Sequence, residues 1–599
     1  MCGIFGYVGP SKHAAQIVFG GLKRLEYRGY DSWGIVAREK RSFDFAQDRQ
    51  VKREKLTIEK HIGKIPKEKL KSSILNLKSN LVLGHTRWAT HGGVTKANAH
   101  PHLDCKGGIA VVHNGIVENY LELKSQLTNH RVKSETDTEI VVHLVEGYAK
   151  KLQFEEAVAK AFLKTSGINS FVFTNGEELV AVKSGSPLVV GLGEKEYYIA
   201  SDPSAIISKT KKAIFVEDNQ LISISEKGVS ISDVKTLVKI KPKISQLDWE
   251  AVDSKLGKFE HFMIKEIYEQ PKVLTKIAKN GKEIGKLAKL INKAHGVFFI
   301  GCGTASYAAL SGSYLFSSIA KKHVNFAIGS EFDYLEHYVN RETLVVAISQ
   351  SGETIDVVVP VERAKKKGAT IVALTNVQGS TLYRMADLNL LLNAGPELAV
   401  CATKSFSAMV ANLIYLAYAT VGRANQGRKI ISGTGKAVLK ILKPKYIGEI
   451  KKLTKMLSTS EDIYIIGRGL SYPTALEASL KLKEVPYVHS EGFAGGELKH
   501  GVIALVEKGT PCIVFAPNDE TYDDIISNAI EIKARGGYII GVSHKPNEAF
   551  DFYLPVGDCA EGSIIANTVP IQLLAYYLAL EKGLDPDKPR NLAKSVTVK

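Results

Sequence analysis

Cysteine is scarce in this chain, and the few cysteines are not grouped. Six occur among 599 residues, far apart and without a CxxC pair: Cys2, Cys105, Cys302, Cys401, Cys512 and Cys559. This distribution argues against a disulfide framework and against a zinc site, and it suits a reducing cytoplasm. We therefore expect no metal centre.

Long apolar runs are also missing. No run approaches the ~18–20 apolar residues that cross a bilayer, and the opening MCGIFGYVGP lacks the features of a signal peptide. We expect a cytoplasmic protein without a membrane partner. Lysine and arginine outnumber aspartate and glutamate by 79 to 62, for a net charge of +17. Because the lysines are dispersed and lack interleaved aromatic residues, we expect no nucleic-acid partner.

Two kinds of pattern divide the chain. Residues 1–240 contain many short apolar strands and a few helical stretches, which predicts an α+β domain on mainly antiparallel sheets. Within it, the polar segment 41–56 is predicted to be an extended surface hairpin or loop. The polar stretch 241–254 is predicted to be a linker. From residue 255 onward apolar strands alternate with helices, which is typical of an α/β fold.

An internal repeat occupies the second half of the chain. Gly296–Leu310 aligns with Asp462–Leu476, and the segment around Ser349 aligns with the segment around Pro517 at nearly the same separation. A third match follows further along. Each copy repeats a strand, a turn and a helix, so tandem domains with doubly wound parallel sheets are predicted. Such sheets bind ligands beyond the carboxyl ends of their strands.

Hydroxyl and amide side chains crowd one turn of the first copy. Ser349–Thr354 follows a buried strand and opens a helix, a place where N–H groups and hydroxyls bind anions. Helix capping by Ser351 or Thr354 would explain one hydroxyl but not the whole set. Gly301–Thr304 does not complete a dinucleotide fingerprint, which favours a small phosphorylated ligand. The second copy has Pro517–Glu520 at this turn, which predicts that its phosphate site is lost.

Cys2 stands directly behind the initiator methionine. If Met1 is removed, Cys2 carries a thiol and a free α-amine, whose ordinary pKa of about 7.7–8.0 is close to physiological pH. The amine can then act as general base for its own thiol, the N-terminal-nucleophile form of covalent catalysis. The alternative is a small core cysteine at the start of the apolar strand Cys2–Val8.

Residues suited to ketose chemistry lie in the second copy. Glu477, Lys481 and Glu484 share one face of a predicted helix, and a glycine-rich loop leads to His500. Ion pairing along the helix is the simple interpretation. Lysine can also form a Schiff base, and a carboxylate can move a proton beside an imine. The set therefore suits a sugar-phosphate isomerase.

Long strings along nearly the whole chain resemble the glutamine–fructose-6-phosphate aminotransferase (isomerizing) family. They are residues 2–4, 25–32, 85–92, 98–102, 113–116, 134–139, 349–354, 480–484, 497–501 and 589–598. The resemblance implies a class-II glutaminase domain with a four-layer αββα N-terminal-nucleophile fold at 2–240. It also implies two sugar-isomerase (SIS) domains, at 255–430 and 450–588, and a catalytic tail at 589–599.

The same resemblance implies the reaction. Glutamine and fructose 6-phosphate would give glucosamine 6-phosphate and glutamate, the first step of hexosamine and UDP-N-acetylglucosamine synthesis. No metal or organic cofactor is implied.

In the glutaminase half the resemblance implies a role for each matching residue. Cys2 would attack the glutamine amide, and Asn114 and Gly115 would form the oxyanion hole. The glutamine pocket would contain Arg87, Trp88, Thr90, His91 and Asp137. Arg87 would clamp the substrate carboxylate, Asp137 would hold its ammonium group, and Trp88 would gate an ammonia channel. Arg28 lies in a matching string, and its role is left open.

In the isomerase half the sugar phosphate would be bound by Thr304, Ser349, Gln350, Ser351 and Thr354. Lys594 would form the imine with the ketose, Glu484 would move the proton between C1 and C2, and Lys481 would support Glu484. His500 would assist ring opening from the neighbouring subunit, which implies a homodimer.

Two other functions stay open. Another Cys2-type amidotransferase would need a phosphoribosyl or nucleotide site in place of the repeated isomerase domains. A catalytically inactive sugar-phosphate sensor would lack Cys2, Glu484 or Lys594, and all three are present. Ala305 and Ala402 stand where relatives often carry hydroxyls, which leaves backbone N–H groups for two of the sugar contacts.

Overall fold

A computed structural model describes residues 2–38, 56–66, 72–128, 130–247 and 256–597. The chain divides into two units by its contacts. The first contains Met1–Val252 together with Ala593–Lys599, and the second contains Asp253–Leu592. The hairpin predicted at 41–56 lies outside the described residues except for its last residue, where a strand begins.

The described part of the first unit is built from short strands and four α-helices. The strands are β1 (Gly3–Val8), β2 (Ser32–Arg38), β3 (Leu56–Ile62), β4 (Leu81–Arg87), β5 (His102–Leu103), β6 (Ala110–Gly115), β7 (Asn169–Thr174), β8 (Leu179–Ser184), β9 (Val189–Leu192), β10 (Tyr197–Ala200), β11 (Lys212–Phe215), β12 (Gln220–Ser225), β13 (Gly228–Asp233) and β14 (Ile244–Gln246). The helices are α1 (Ala14–Leu25), α2 (Tyr120–Ser125), α3 (Asp137–Tyr148) and α4 (Phe154–Phe162).

These elements form four layers. The sheets run β14-β11-β9-β10-β1-β4-β2-β3 and β13-β12-β8-β7-β6-β5, and every pairing in them is antiparallel. Strand alternation explains the layering, because successive side chains point to opposite faces. In β1, Phe5 and Tyr7 join the core under α1, whereas Ile4 and Val8 join the core between the two sheets. Helices α3 and α4 cover the second sheet. The predicted αββα class is confirmed.

The segment predicted as a linker differs in one respect. Strand β14 lies inside 241–254 and pairs with β11 at the edge of the first sheet, with Ile244 opposite Ile214. Ile244 and its neighbours are largely exposed. A strand at the edge of a sheet pairs with one neighbour only. When it is also exposed, its side chains need no alternation of apolar and polar residues, so its sequence resembles that of a loop.

The second unit alternates helices with strands. The strands are β15 (Gly296–Gly301), β16 (Asn325–Ile328), β17 (Thr343–Ser349), β18 (Thr370–Thr375), β19 (Leu388–Leu391), β20 (Asp462–Gly467), β21 (His489–Ala494), β22 (Pro511–Ala516), β23 (Tyr538–Ser543) and β24 (Phe552–Pro555). The helices are α5 (Phe262–Lys279), α6 (Lys282–Lys293), α7 (Thr304–Leu315), α8 (Ile355–Lys366), α9 (Thr381–Met385), α10 (Lys404–Thr420), α11 (Ala424–Ile441), α12 (Pro444–Leu457), α13 (Ser471–Glu484), α14 (Tyr522–Lys533) and α15 (Ser563–Glu581).

The internal repeat is confirmed by topology. The two five-stranded parallel sheets run β16-β15-β17-β18-β19 and β21-β20-β22-β23-β24, so the second repeats the first strand for strand. One large hydrophobic core joins a face of each sheet through α10, α13 and α15. Both copies therefore fold around a shared interior.

One helix of the second unit is unusually apolar. Among the described residues, Ala560–Glu581 is long and apolar enough to cross a membrane by its length and composition, which differs from the expectation that no apolar run is long enough. Of its most apolar window, 89% is buried inside the protein. Such burial is typical of a core helix, which is apolar on all sides.

Candidate active sites

The strand pairing of the first unit sets the surroundings of Cys2. Because Gly3 pairs with Thr86, Cys2 lies beside the end of β4. The Trp88 N–H donates to Cys2 Sγ at 3.3 Å, and Sγ lies 3.5 Å from the Trp88 carbonyl oxygen. The side chain is half-buried, and burial raises the pKa of the thiol. A half-buried thiol that accepts a backbone hydrogen bond differs from the fully buried core cysteine considered as the alternative.

Arg28, whose role the sequence left open, holds the backbone of Cys2. Its guanidinium is buried, and Nε donates to the Cys2 carbonyl at 3.3 Å. Nη1 lies 3.3 Å from Asp202, which also accepts from the Tyr27 hydroxyl at 2.7 Å. Truncating one partner of a buried ion pair typically costs about 3–5 kcal/mol. The pair therefore fixes the backbone that carries the thiol.

The predicted oxyanion-hole residues end strand β6. Asn114 is buried, and its Nδ2 donates to Ser201 Oγ at 2.8 Å, an oxygen that also accepts from the Ile4 N–H at 2.8 Å. Ser201 thereby links β1 to β6, one strand from each sheet. Gly115 has φ +145°, and a Cβ there would collide with the Ile168 carbonyl oxygen. Only glycine fits this position without strain.

The predicted glutamine-binding residues lie at the ends of β4 and at the start of α3. Arg87 is buried, and its guanidinium donates to the carbonyls of His91, Gly92 and Gly93. Asp137 opens α3 and accepts from the Val117 N–H at 2.7 Å. Burial lowers the pKa of Arg87, and the charges of Cys2, Asp31 and Asp137 counteract this effect. These groups therefore lie within electrostatic range of one another.

The remaining pocket residues follow β4 directly. Trp88 packs edge-on against Tyr30, with ring centroids 5.7 Å apart. His91 packs edge-on against Tyr120 at 4.4 Å, and Thr90 is exposed. In the turn after β4, Thr90 is therefore exposed and Trp88 and His91 are half-buried. Arg87 binds the backbone carbonyls of this turn.

A cluster of buried histidines lies behind the predicted oxyanion hole. Its members are His85, His100, His102 and His113. The His85 and His100 rings lie 4.3 Å apart, and His85 Nε2 lies 3.2 Å from Asn114 Oδ1. Burial lowers the pKa of all four, that of His85 to about 3. They are neutral scaffold residues at physiological pH. Among the described residues, no histidine is hydrogen-bonded to Cys2 Sγ.

The hydroxyl-rich turn of the second unit lies between β17 and α8, as expected. Ser349 Oγ accepts from the Gly352 N–H at 3.0 Å and lies 3.0 Å from Thr354 Oγ1. Thr354 is the N-cap residue of α8, but its side chain does not cap the helix. Gly352 has φ +66°, and a Cβ there would collide with Ser380. The turn is thus held by its own hydroxyls and leaves the helix N–H groups without a side-chain cap. Gln350 is half-buried in the same turn, and its carbonyl accepts from the Asn376 N–H at 3.0 Å.

The corresponding turn of the second copy is acidic. Asp519 accepts from the Thr521 N–H at 2.9 Å, and Asp523 and Asp524 follow in the first turn of α14. Carboxylates at a helix N-terminus occupy the position that an anion would take. This arrangement supports the prediction that the second copy has lost its phosphate site.

A buried ion cluster joins the two copies. Lys481 and Glu477 lie on α13 with no exposed side-chain area, and Lys481 Nζ lies 2.5 Å from Glu484 and 3.5 Å from Glu477. Nζ also donates to Thr304 Oγ1 at 3.2 Å, at the start of α7 in the first copy. Burial raises the pKa of Glu477 to about 7. Burial by itself would lower the pKa of Lys481. The carboxylates of Glu477 and Glu484 outweigh burial and raise this pKa above its ordinary value, so Lys481 stays protonated.

Thr304, predicted to lie near the sugar phosphate, accepts from Lys481 at 3.2 Å and donates to Glu477 at 3.3 Å. His500 ends a short 3-10 helix, Gly495–His500, and is exposed. Lys594 is half-buried and belongs to the first unit by its contacts. Just before this tail, the Arg590 N–H donates to the Tyr487 hydroxyl at 2.5 Å, and the Arg590 guanidinium lies 4.4 Å from the Tyr487 ring centroid.

Known families match both units. A glutamine amidotransferase domain model matches residues 49–249, and a SIS domain model matches residues 290–419 and 456–582. A C-terminal domain of glucosamine-fructose-6-phosphate aminotransferase from Francisella tularensis matches with a TM-score of 0.52 and 32% identity. The match covers 56% of this chain and all of that domain. The fold and these matches define the class: a glutamine amidotransferase domain followed by tandem SIS domains.

Curated relatives match over the full length. A glutamine–fructose-6-phosphate aminotransferase [isomerizing] of Pyrococcus horikoshii is 40% identical over 611 residues, and one of Clostridium tetani is 41% identical over 624 residues. Both matches cover 100% of each chain. The chain belongs to the glutamine–fructose-6-phosphate aminotransferase (isomerizing) family, as its sequence strings predicted.

Proposed function

We propose that this enzyme converts fructose 6-phosphate and glutamine to glucosamine 6-phosphate and glutamate, with the residues predicted from the sequence performing the chemistry. The observation that carries the proposal is the Cys2 thiol. It is half-buried, hydrogen-bonded to the Trp88 N–H, and within electrostatic range of Arg87.

In the glutaminase unit, Cys2 Sγ attacks the amide carbon of glutamine. The α-amine of Cys2 takes the thiol proton, which is supported by the lack of a histidine partner among the described residues. Asn114 Nδ2 and the Gly115 N–H stabilise the oxyanion; losing one such donor typically costs about 10²–10³ in rate. Collapse of the tetrahedral intermediate releases ammonia, and water then hydrolyses the thioester to glutamate.

The glutamine itself is held at both ends in this proposal. Arg87 binds its carboxylate and Asp137 its ammonium group, with Thr90 and His91 lining the pocket. The buried guanidinium is already oriented by three backbone carbonyls, so little further ordering is needed on binding. Trp88 gates the exit of ammonia.

In the isomerase reaction, the amine of Lys594 condenses with C2 of the open-chain ketose and releases water. Ammonia then displaces the lysine from C2. Glu484 takes a proton from C1 and delivers it to C2, while the proton of the C1 hydroxyl passes to the nitrogen, which turns the ketose imine into the amino aldose. The Lys481 ammonium, 2.5 Å from Glu484, stabilises the carboxylate and the developing negative charge.

The phosphate group is bound by Ser349, Gln350, Ser351 and Thr354. The hydroxyls and uncapped N–H groups at the start of α8 support this placement. Thr304 orients Lys481 at the same end of the sheet.

His500 opens the sugar ring from a neighbouring subunit in this proposal, so the enzyme acts as a homodimer in the cytoplasm. The exposure of His500 in the single chain supports its use by a partner. All six cysteines lie in the described part of the chain and none of them forms a disulfide, which suits a reducing compartment.

The test is an assay of glucosamine 6-phosphate formation from fructose 6-phosphate, with glutamine and ammonia compared as donors. We expect efficient product formation with glutamine and a borohydride-trapped adduct of fructose 6-phosphate on Lys594, identified by peptide mass. An adduct on another lysine, or one retained in Lys594→Ala, would reject the assignment of Lys594 while leaving the overall reaction intact.

A further inference from the structure

Four side chains of the first unit converge at a point that the proposed chemistry does not use. They are Cys105, in the turn after β5; His130, between α2 and α3; and His143 and Glu146, on α3. One ligand atom from each lies within 4.8 Å of every other. His143 and Glu146 are buried, His130 is half-buried and Cys105 is exposed, so the cluster is open to ions from solvent.

The distances match a tetrahedral metal site. Cys105 Sγ lies 3.6 Å from Nδ1 of His130 and 3.6 Å from Nδ1 of His143. Glu146 Oε2 lies 3.0 and 3.3 Å from the same two nitrogens. Zinc bonds of about 2.3 Å to sulfur and about 2.0–2.1 Å to nitrogen and oxygen, at tetrahedral angles, separate sulfur from nitrogen by about 3.6 Å and nitrogen from oxygen by about 3.4 Å.

A hydrogen-bond network alone explains these contacts less well. If both Nδ1 atoms carry protons and donate to Glu146, neither can accept from the Cys105 thiol. If the thiol donates to one of them, that nitrogen cannot also donate to Glu146. A cation at the centre serves all four groups at once, because each of them offers one ligand atom and these atoms lie within 4.8 Å of one another.

A second carboxylate supports a metal interpretation. His143 Nε2, on the far side of the ring from the cluster, lies 3.7 Å from Glu139 Oε1. Glu139 is itself fixed by the N–H groups of Lys133 and Ser134, at 2.9 and 2.5 Å. A histidine ligand whose other ring nitrogen faces a fixed carboxylate is the usual arrangement around protein-bound zinc.

We propose that Cys105, His130, His143 and Glu146 bind one zinc-class divalent cation as a structural site. The thiolate and the carboxylate neutralise the two positive charges. Four protein ligands leave no open position for water, so the ion stabilises the fold and does not hydrolyse substrate. It ties two loops to α3, the helix that begins at Asp137.

The site escaped the sequence prediction for a physical reason. A closely spaced pair of cysteines in a sequence indicates a zinc site in which one short hairpin supplies two of the ligands. Here one cysteine, one loop histidine and a helical histidine–glutamate pair come from separate segments. Only the packing of α3 against the β5 turn brings them together.

The first measurement uses the unmodified full-length chain. We expect about one zinc per chain after exposure to Zn²⁺ and gel filtration, and loss of Cys105 alkylation when one equivalent of Zn²⁺ is added to metal-free protein. Co²⁺ alone should give the thiolate-to-cobalt charge-transfer band and the strong visible bands of a tetrahedral site. A wild-type chain that retains neither metal, or whose Cys105 reacts equally fast with Zn²⁺ present, would overturn the proposal.

Single substitutions test which residues bind the metal ion. Cys105→Ser should remove the charge-transfer band, and Glu139→Gln should weaken metal affinity by about 10–100-fold, the usual effect of losing an outer carboxylate. His13→Gln changes an exposed histidine of the same unit, and its metal content should equal that of wild type. An unchanged cobalt spectrum in Cys105→Ser would place the metal elsewhere and reject the site. Tryptophan fluorescence checks that each variant is folded.

Discussion

At the scale of single residues, Cys2 is defined by its backbone partners. The Trp88 N–H faces its sulfur and the Arg28 guanidinium holds its carbonyl. Burial raises the pKa of the thiol, so at neutral pH the thiolate forms only if a base removes the proton. The nearby imidazoles of His85 and His113 are neutral, but they are turned to Asn114 and Asn169 instead. The α-amine is the base that the proposed mechanism requires.

Replacing the nucleophile should separate the two activities. We expect Cys2→Ala to lose glutamate release from glutamine by several orders of magnitude while isomerisation of fructose 6-phosphate stays measurable. The reverse pattern is expected for Lys594→Ala, which makes each variant the control for the other. Glutaminase activity of wild-type size in Cys2→Ala would remove Cys2 from the mechanism.

A substitution of Gly115 would test whether the backbone conformation at the predicted oxyanion hole is required. At φ +145° an added Cβ would collide with the Ile168 carbonyl and lie 2.8 Å from Asn169 Cα. We expect Gly115→Ala to cost about 1–3 kcal/mol in strain and to lower glutaminase kcat. Gly108→Ala is the matched control, because a Cβ there meets no atom within 4 Å. Equal glutaminase rates in the two variants would show that the geometry at 115 is not required.

At the scale of elements, the isomerase chemistry depends on two helices that begin where parallel strands end. Helix α7 follows β15 and supplies Thr304, and α13 follows β20 and supplies Lys481. The shared core under both sheets brings the two helices together. A threonine hydroxyl from the first copy can therefore orient a lysine from the second.

Removing that hydroxyl should affect the isomerase unit alone. Thr304→Val leaves the buried Lys481 and Glu477 each without one hydrogen-bond partner, which typically costs about 1–3 kcal/mol. We expect a lower melting temperature and isomerisation slowed on the order of tenfold, with glutaminase activity unchanged. Ser313→Ala on the same helix is the control, since within the described part of the chain that hydroxyl makes one hydrogen bond, to the Leu310 carbonyl. Isomerisation at the wild-type rate in Thr304→Val would contradict this role.

At the scale of the whole molecule, each unit has its own hydrophobic cores, and the glutaminase unit has a set of buried histidines. The glutaminase unit encloses four neutral histidines. Their pKa values are lowered by folding, so the folded state binds fewer protons than the unfolded state as the pH falls below 6.5. Their contribution to stability is fully present above pH 6.5 and is lost as the pH falls.

Tryptophan fluorescence can follow this unit separately, because Trp33, Trp88 and Trp249 all precede residue 253. We expect the melting temperature reported by tryptophan to fall between pH 7.5 and pH 5, before most carboxylates are protonated. A melting temperature that is constant across this interval would mean that the histidines are not neutral in the folded protein.

The sequence predicted those candidate site residues that are close to one another along the chain. The hydroxyls at Ser349–Thr354 follow one strand, and Glu477, Lys481 and Glu484 share one helical face, so period and spacing were sufficient to predict which elements carry them. It did not reveal the function of Arg28, because the contact with Cys2 depends on how the turn after α1 packs on β1. The roles assigned to individual residues stay predictions until the variants are measured.

The sequence by itself determined the order of the units, the internal repeat and the family, because strand and helix periods and long motif strings are local properties of the chain. Tertiary structure decided which distant residues meet. Ser201 joins Ile4 to Asn114, Thr304 meets Lys481, and Cys105 meets the histidines of the proposed metal site. Such contacts arise from the packing of sheets and helices, which fixes distances between residues that share no local pattern.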